Sequence, residues 1–285
     1  AGKSYYSLLL QDKTGTVDAK VWDLNNGIEH FESMDFIKID GMVTSFQGAL
    51  QVNVRRVRRT QEQEYDIRDY LPTSRFSIDD MMKELTGYIT TIQNPYLKVL
   101  LESFFLKDMD FIKSFKEHSA AKSVHHGFVG GLLEHTLSVT KLCDFYCKRY
   151  PILNRDLLLT AAMCHDIGKT TELSLFPAND YTDEGQLLGH IVVGTEMIHD
   201  RIREIPNFPK TLANELKHCI LAHHGELEYG SPKKPALAEA MALNLADNTD
   251  AKMETMTEIF AAAADTTEWL GYNRLFESNL RKTSK

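Results

Sequence analysis

Six side chains of metal-binding type lie in the second half of this 285-residue chain, each within or at the end of an apolar segment. They are His135, His165, Asp166, His190, His223 and Asp247. Imidazoles and carboxylates are good ligands for divalent first-row metals, and ligands from several helices make a rigid pocket inside a bundle. A carboxylate in "AAMCHDIGK" is costly to bury alone, so either this helix end is solvated or a cation lies beside it. Because a bridging carboxylate can hold two cations ~3.5–4 Å apart, Asp166 is the natural bridge of a two-metal site.

Two divalent ions in such a pocket can activate water near neutral pH and neutralise phosphate charge, which is chemistry that suits a phosphodiester. We expect two divalent cations. Ligands that are all nitrogen or oxygen suit Mn²⁺, Fe²⁺, Co²⁺ and Zn²⁺ alike, and we take Mn²⁺ as the first choice without a reason from the sequence. The remaining histidines are interpreted as ordinary core or surface residues, apart from those named below. These background histidines are His30, His118, His199 and His218.

The elements that must position these ligands are helices. Ser77, followed by two aspartates, is typical of a helix N-cap, and Asn94-Pro95 is typical of another helix start. Apolar residues recur at helical spacing in "GLLEHTLSVTKLCDFYCKRY", "GQLLGHIVVGTEMIHDRIREI" and later segments. The spacing predicts an all-α domain over residues 77–285.

The first sixty residues have the alternation of β-strands instead. "YYSLLLQD" and "TVDAKVWD" flank a turn signal, and two further strands follow, with Gly41 where a bulge or bend would lie. We expect four strands, or five if Gly41 divides one, against the five of an oligonucleotide-binding (OB) barrel. The predicted organisation is α+β and multidomain: an OB-fold barrel lacking its first strand over residues 1–62, a linker over 63–76, and the helical domain.

Residues that suit a nucleic acid lie in this first part. Arginines in the last strand are candidates for phosphate contact, and because side chains alternate along a strand, at most half of them should share one face. They are Arg55, Arg56, Arg58 and Arg59. Exposed aromatic rings of OB domains stack on bases. The candidates for stacking are Tyr5, Tyr6, Trp22 and Phe46.

The ligand pattern resembles the HD-domain metal phosphohydrolases, through His135, the pair His165-Asp166, and Asp247. Over nearly the whole chain it resembles the YhaM-type 3′→5′ exoribonucleases, which join an OB-fold to an HD domain. The segments that carry this resemblance are "LLLQDKTGTVDAKVWD", "HHGFVGGLLEHTLSV", "CHDIGK", "GHIVVG" and "AHHGE". It implies a metal-dependent exoribonuclease acting on single-stranded RNA, with single-stranded DNA left open.

The resemblance also implies a role for each site residue. The first metal would bind His135, His165, Asp166 and Asp247, and the second Asp166, His190 and His223. Lys169 would approach a phosphate oxygen, and His224 would face the substrate. His125 and His126, before the glycine-rich entry to the ligand helix, are further candidates for phosphate contact. The chain departs from many HD proteins at Asn244, where they have histidine.

Composition limits the other possibilities. The net charge is −8, which argues against coating nucleic acid by bulk attraction, although residues 1–60 carry +1 and the remainder −9. We expect no membrane span and no signal peptide, and four cysteines without a CxxC pair favour free thiols in the cytoplasm. A phosphodiesterase for cyclic or small nucleotides and a di-iron oxygenase remain alternatives, and homo-oligomer formation stays open.

Overall fold

The chain divides into two compact units, Ala1–Thr73 with Phe176–Ala178, and Ser74–Leu175 with Asn179–Lys285. A computed structural model describes residues 4–25, 27–61, 63–122, 126–263 and 268–284. Part of the segment predicted as a linker packs within the first unit, where the rings of Phe36 and Tyr65 stack with their centroids 4.3 Å apart.

The first unit contains a four-stranded sheet in its described residues. Its strands are β1 (Tyr6–Asp12), β2 (Gly15–Val21), β3 (Ile37–Phe46) and β4 (Ala49–Arg59). The strand order is β1-β2-β4-β3, with β2 and β4 parallel and the other two pairs antiparallel. One face covers a small core centred on Ala19, Val21, Val54 and Val57. The predicted β unit is confirmed, whereas a closed barrel is not shown, because β1 and β3 are both edge strands of this sheet.

A bulge lies between β3 and β4, at the glycine where the sequence predicts one. Asp40 pairs with Arg56 whereas Gly41 pairs with Val54, so Arg55 is an extra residue in β4. Val54 and Val57 therefore both face the core although they are three residues apart. The prediction of strict alternation along this strand is wrong for the same reason, and Arg55 and Arg56 are both exposed.

The second unit is a helical bundle followed by a short hairpin. Its described α-helices are α1 (Ile78–Thr90), α2 (Pro95–Glu102), α3 (Met109–Glu117), α4 (Gly131–Arg149), α5 (Arg155–Cys164), α6 (Lys169–Glu172), α7 (Asp183–Glu204), α8 (Lys210–Leu221) and α9 (Ala238–Ala262). The predicted caps are confirmed: the Ser77 hydroxyl accepts the amide of Asp80, and the Asn94 side chain accepts two amides at the start of α2. None of the described helices has an apolar stretch of the length that crossing a bilayer requires.

Helix α5 lies at the centre of this unit. All eight of its residues from Leu157 to Cys164 are buried, and it packs against α2, α4, α8 and α9. A helix that is apolar on every face is a core helix. Because α5 ends at Cys164, the next two residues, His165 and Asp166, are held in the interior of the bundle.

The end of the chain corrects the prediction of an all-α domain over residues 77–285. Strands β5 (Trp269–Asn273) and β6 (Ser278–Arg281) form an antiparallel hairpin. Aromatic residues such as Trp269 and Tyr272 favour strands, and the Asn273 side chain accepts the amides of Leu275 and Phe276 to make the turn. The strands are too short for their periodicity to be distinguished from that of the helix before them.

Candidate metal centre

The six predicted ligands lie in one cluster inside the bundle. His135 is on α4, His165 and Asp166 follow α5, His190 is on α7, His223 follows α8, and Asp247 is on α9. Four of them are at most 2% exposed, namely His135, His165, Asp166 and His223. The structure therefore brings together residues that are separated by up to 112 positions in the sequence.

Two glycines allow the chain to approach itself at this cluster. A Cβ on Gly168 would lie 2.1 Å from the carbonyl oxygen of His190, so the turn after Asp166 can contact α7 only without a side chain there. Gly189 has a φ of 73°, which L-residues with a side chain rarely adopt, and it kinks α7 directly before His190. The segment predicted as one regular helix is therefore bent at the residue that precedes a ligand.

The first group of ligand atoms surrounds Oδ2 of Asp166. The Nε2 atom of His135 lies 3.2 Å from Nε2 of His165 and 3.2 Å from Oδ1 of Asp247. Oδ2 of Asp166 lies 3.5 Å from the first of these nitrogens and 3.4 Å from the second. Two imidazole nitrogens and two carboxylate oxygens thus converge, as in bundle metal sites.

The second group surrounds the other oxygen of the same carboxylate. Oδ1 of Asp166 lies 3.4 Å from Nε2 of His190 and 3.6 Å from Nε2 of His223. All three atoms are buried and make no hydrogen bond in the part of the chain that the structure describes. A buried polar atom without a partner costs about 1–3 kcal/mol. Three such atoms around one point therefore fit a ligand that accepts their lone pairs.

The histidine protons are held on the far side of the rings. Nδ1 of His165 lies 2.7 Å from the carbonyl oxygen of Ala162, and Nδ1 of His223 lies 2.7 Å from that of Ile220. Since a carbonyl oxygen only accepts, each Nδ1 carries the proton in the neutral ring and each Nε2 presents a lone pair to the cluster. These rings are therefore oriented as metal ligands.

Negative charge is in excess at the cluster. Two carboxylates belong to the ligand set and two more accept from its rings, and the four are Asp166, Asp247, Asp250 and Glu172. Burial opposes charge on His135, yet hydrogen bonds to Asp247 and Asp250 raise the pKa of its ring to about 10. A divalent cation would balance the same negative charge without protonating a ligand.

Lys169 places an ammonium in the cluster. Its Nζ lies 2.7 Å from Oδ2 of Asp166. Burial works against both charges, but their mutual attraction keeps the pKa of Asp166 well below its usual range and raises the pKa of Lys169. The carboxylate at the end of α5 is therefore ionised and already has a cation beside it.

Two other predicted residues lie next to the ligands. The ring centroid of His224 is 5.1 Å from that of His190, and its Nδ1 lies 2.7 Å from the carbonyl oxygen of Tyr229. Burial, and then the neighbouring His223, lower the pKa of His224. His126 is buried and its Nε2 lies 2.9 Å from Oδ2 of Asp250. His125 lies outside the described residues.

The position where many HD proteins have histidine supports the backbone of a ligand. The Asn244 amide donates to the carbonyl oxygen of His223, at 2.8 Å. A side chain at Gly225 would collide with this amide, so the turn after α8 packs closely against α9. Asn244 therefore holds the loop that carries His223.

In the first unit, the four predicted arginines differ in their surroundings. Arg58 forms a two-pronged ion pair with Glu64, and Arg59 forms one with Asp35. Arg55 and Arg56 make no ion pair within the described part of the chain, and Arg55 lies against the Met42 sulfur at 4.0 Å. Arg55 and Arg56 therefore carry guanidinium charges that a phosphate could still neutralise.

Two of the predicted stacking residues form an exposed pair. The rings of Tyr5 and Trp22 lie with their centroids 4.7 Å apart, and they are 46% and 56% exposed. The Trp22 ring nitrogen donates to the Asn53 side chain at 3.1 Å, which fixes the orientation of the indole. Tyr6 contacts Phe31 edge-on, and Phe46 is exposed at the end of β3.

Comparison with known proteins gives the family of this chain. Residues 132–252 match the sequence profile of the HD domain. The chain is 37% identical over 257 residues to the 3′-5′ exoribonuclease YhaM of Bacillus subtilis (strain 168). This match covers 90% of the chain and 81% of the relative. It is 36% identical over 254 residues to the 3′-5′ exoribonuclease YhaM of Geobacillus sp. (strain WCH70), covering 88% and 77%. The chain belongs to the YhaM family. No solved structure is significantly similar to it.

Membership of this family makes the protein a hydrolase of the HD class. The HD match includes all six residues of the cluster, from His135 to Asp247. Together with the convergent histidine and aspartate side chains, it indicates that the protein binds a divalent metal.

Two carboxylates of the site are not among the residues predicted from the sequence. Asp250 accepts from Nδ1 of His135, and Glu172 accepts from Nδ1 of His190. Asp250 lies about one helical turn after Asp247, so the spacing of the two aspartates on α9 is a signal that could have found it. Glu172 gave no such signal, because its contact depends on the kink in α7.

Proposed function

We propose that this protein is a metal-dependent 3′→5′ exoribonuclease that holds two divalent cations and hydrolyses single-stranded RNA. One observation carries the proposal: the two oxygens of Asp166 face two separate groups of histidine nitrogens, 3.4–3.6 Å away. This is the arrangement that a carboxylate bridging two cations requires. The relatives named 3′-5′ exoribonuclease supply the polarity and the substrate class.

Each cation would have its own ligands around the shared aspartate. The first would be held by His135, His165, Asp166 and Asp247, and the second by Asp166, His190 and His223. When bound, the cations would supply a water nucleophile that ionises near neutral pH and would offset the charge of the phosphodiester. We expect Mn²⁺, since nitrogen and oxygen ligands accommodate it, with Fe²⁺, Co²⁺ and Zn²⁺ as competitors.

Two side chains beside the ligands would act on the substrate. Lys169 places an ammonium next to Asp166, where it can donate to a nonbridging phosphate oxygen. The lowered pKa of His224 keeps its ring neutral, and its Nδ1 proton is directed at Tyr229, so its Nε2 can accept from a ribose hydroxyl or water. Water adds to phosphorus, the 3′-oxygen leaves with a proton, and a nucleoside 5′-monophosphate is released.

The first unit would hold the strand. Its strand order and parallel β2–β4 pair support an OB-type arrangement, and its exposed side chains include the Tyr5–Trp22 pair and the arginines Arg55 and Arg56. Base stacking on aromatic rings and a basic groove are how OB surfaces bind single strands. His125 remains a candidate for phosphate contact, whereas the buried His126 already donates to Asp250 and is not placed for such a contact. We expect the protein to be cytoplasmic, because its four cysteines are free thiols.

An exonuclease and a small-nucleotide phosphodiesterase can be distinguished by whether cleavage of RNA depends on a free 3′ end. We expect a 5′-labelled RNA with a free 3′-hydroxyl to be shortened one nucleotide at a time, and the same RNA with a blocked 3′ end to resist. Cyclic dinucleotides should be cleaved much more slowly. Rapid cleavage of cyclic dinucleotides with no dependence on the RNA 3′ end would favour the phosphodiesterase. Single-stranded DNA should be tested as a substrate in the same assay.

We expect His190→Ala and His223→Ala to weaken only the second cation. Each removes a ligand nitrogen from one side of Asp166, while the four ligands of the first cation stay in place. Titration of the metal-free protein with Mn²⁺ should show one unchanged site and one weakened site. Equal weakening of both sites would indicate one shared site rather than two.

We expect Arg55→Gln with Arg56→Gln to weaken RNA binding and flatten its salt dependence. Each phosphate contact to a single strand contributes about −0.7 to the slope of log K against log salt, so the double variant should lose up to about 1.4. Arg58→Gln with Arg59→Gln is a control of equal charge, because those side chains are already paired with Glu64 and Asp35. The same loss of slope in both double variants would contradict a specific role for Arg55 and Arg56.

A further inference from the structure

Each of the two ligand groups contains one histidine held by a carboxylate and one held by the backbone. In the first group, Nδ1 of His135 lies 2.7 Å from Oδ2 of Asp250, whereas His165 faces a main-chain carbonyl. In the second group, Nδ1 of His190 lies 3.0 Å from Oε1 of Glu172, whereas His223 faces a main-chain carbonyl. In each group, therefore, one histidine ring donates to a charged carboxylate and the other donates to a neutral carbonyl.

We infer that Asp250 and Glu172 are positioning residues, one for each cation, that set the orientation and the proton of a ligand histidine. Each contacts the Nδ1 side of its ring, whereas the Nε2 atoms of the same rings point to the cluster, so each acts through the ring that it contacts. The inference rests on the proposed two-cation function.

Asp250 is itself held in a fixed position. Its Oδ2 also accepts from Nε2 of His126, at 2.9 Å, and its Oδ1 accepts the hydroxyl of Ser138. Its side chain is 11% exposed. Because Asp247 and Asp250 lie about one turn apart on α9, a single helix supplies both a ligand and the support of the ligand across from it.

Glu172 holds both the ring and the backbone of His190. Its Oε1 accepts from Nδ1 and from the main-chain amide of His190, both at 3.0 Å. Gly189 interrupts the helix just before this amide, which therefore lies at the start of the second part of α7, where helix amides lack an internal partner. Glu172 thus caps the second part of the helix with the same oxygen that orients the ligand.

A carboxylate partner does more for a ligand than a carbonyl does. A carboxylate and a carbonyl both fix the proton on Nδ1, but the negative charge of the carboxylate also makes the lone pair of Nε2 more basic, so that it binds a cation more strongly. Loss of such a partner typically lowers metal affinity about 10- to 100-fold. Since each carboxylate supports a histidine of a different group, each loss should affect mainly one cation.

The test is calorimetric titration of the full, metal-free chain with Mn²⁺, for wild type, Asp250→Asn and Glu172→Gln. We expect two sites in wild type, with the first weakened about 10- to 100-fold by Asp250→Asn and the second by Glu172→Gln. Asp144→Asn is the control, because Asp144 is a buried carboxylate on α4 whose partners are Lys148 and Arg155. It should leave both sites unchanged.

A second readout separates positioning from a structural role. RNA hydrolysis by each variant should need more Mn²⁺ but approach the wild-type rate when Mn²⁺ is saturating, whereas a damaged fold is not restored by metal. If Asp250→Asn does not fold, Ser138→Ala removes one donor to Asp250 and should weaken the first site by a smaller factor.

The outcomes distinguish the inference from the function on which it rests. Two sites in wild type with unchanged affinities in both variants would overturn the inference alone. Equal weakening of both sites by each variant would overturn the assignment of one carboxylate to each cation. A wild-type chain that binds fewer than two Mn²⁺ ions would instead overturn the proposed two-cation centre.

Discussion

Replacing Asp166 with asparagine is expected to remove both cations and to lower the rate of RNA hydrolysis on the order of 1000-fold or more. Its two oxygens face the two ligand groups, so one substitution affects both. Metal catalysis of this kind contributes several kcal/mol, and each ~1.4 kcal/mol is a factor of ten in rate. Metal analysis of the purified variant, alongside its rate on labelled RNA, is the measurement.

The fold of this variant should survive, which makes the result interpretable. Asparagine has nearly the shape of aspartate, and the Lys169 ammonium still faces the negative charges of Asp247 and Glu172. Circular dichroism of the variant should therefore match that of wild type. A folded variant that keeps two equivalents of metal and full activity would contradict the assignment of Asp166 as the bridge.

Replacing Trp22 with alanine is expected to weaken the binding of single-stranded RNA about 5- to 150-fold, because stacking contributes about 1–3 kcal/mol per base. Tyr5→Ala should act in the same direction, since the two rings lie together and are both exposed. Hydrolysis of a small activated phosphodiester should not change, because every proposed ligand belongs to the other unit.

Trp269 provides the matched control for this substitution. It is the other tryptophan of the chain, it is 67% exposed, and it lies on the C-terminal hairpin. Fluorescence anisotropy of a labelled RNA should give the wild-type affinity for Trp269→Ala. If Trp22→Ala also binds RNA with wild-type affinity, the proposed role of Tyr5 and Trp22 in binding the strand is contradicted.

Much of the metal centre could be predicted because its residues are chemically unusual where they occur. Histidines and aspartates inside apolar helical segments need partners, and six of them recur at the ends or in the middle of such segments. The structure brings these six together. Their supports were harder to predict, because Asp250 and Glu172 are ordinary charged residues until their contacts with histidine rings are known.

Features that depend on single residues, such as helix starts, can be predicted from the sequence, whereas features that depend on tertiary contacts cannot. Ser77 and Asn94 mark helix starts, and Gly41 marks the bulge, because each effect is local to the residue. The kink at Gly189 has no such signal, since it exists where α7 meets the turn after α5. The C-terminal hairpin could not be predicted, because its strands, of five and four residues, are too short to show a period.

The two-cation exoribonuclease assignment is tested by the metal content of the purified protein together with its products from 5′-labelled single-stranded RNA. We expect two divalent ions for each chain, a ladder of 5′-labelled fragments that shorten from the 3′ end, and release of nucleoside 5′-monophosphates, all abolished by a chelator and restored by Mn²⁺. Internal cleavage, or shortening that persists in the metal-free protein, would contradict it.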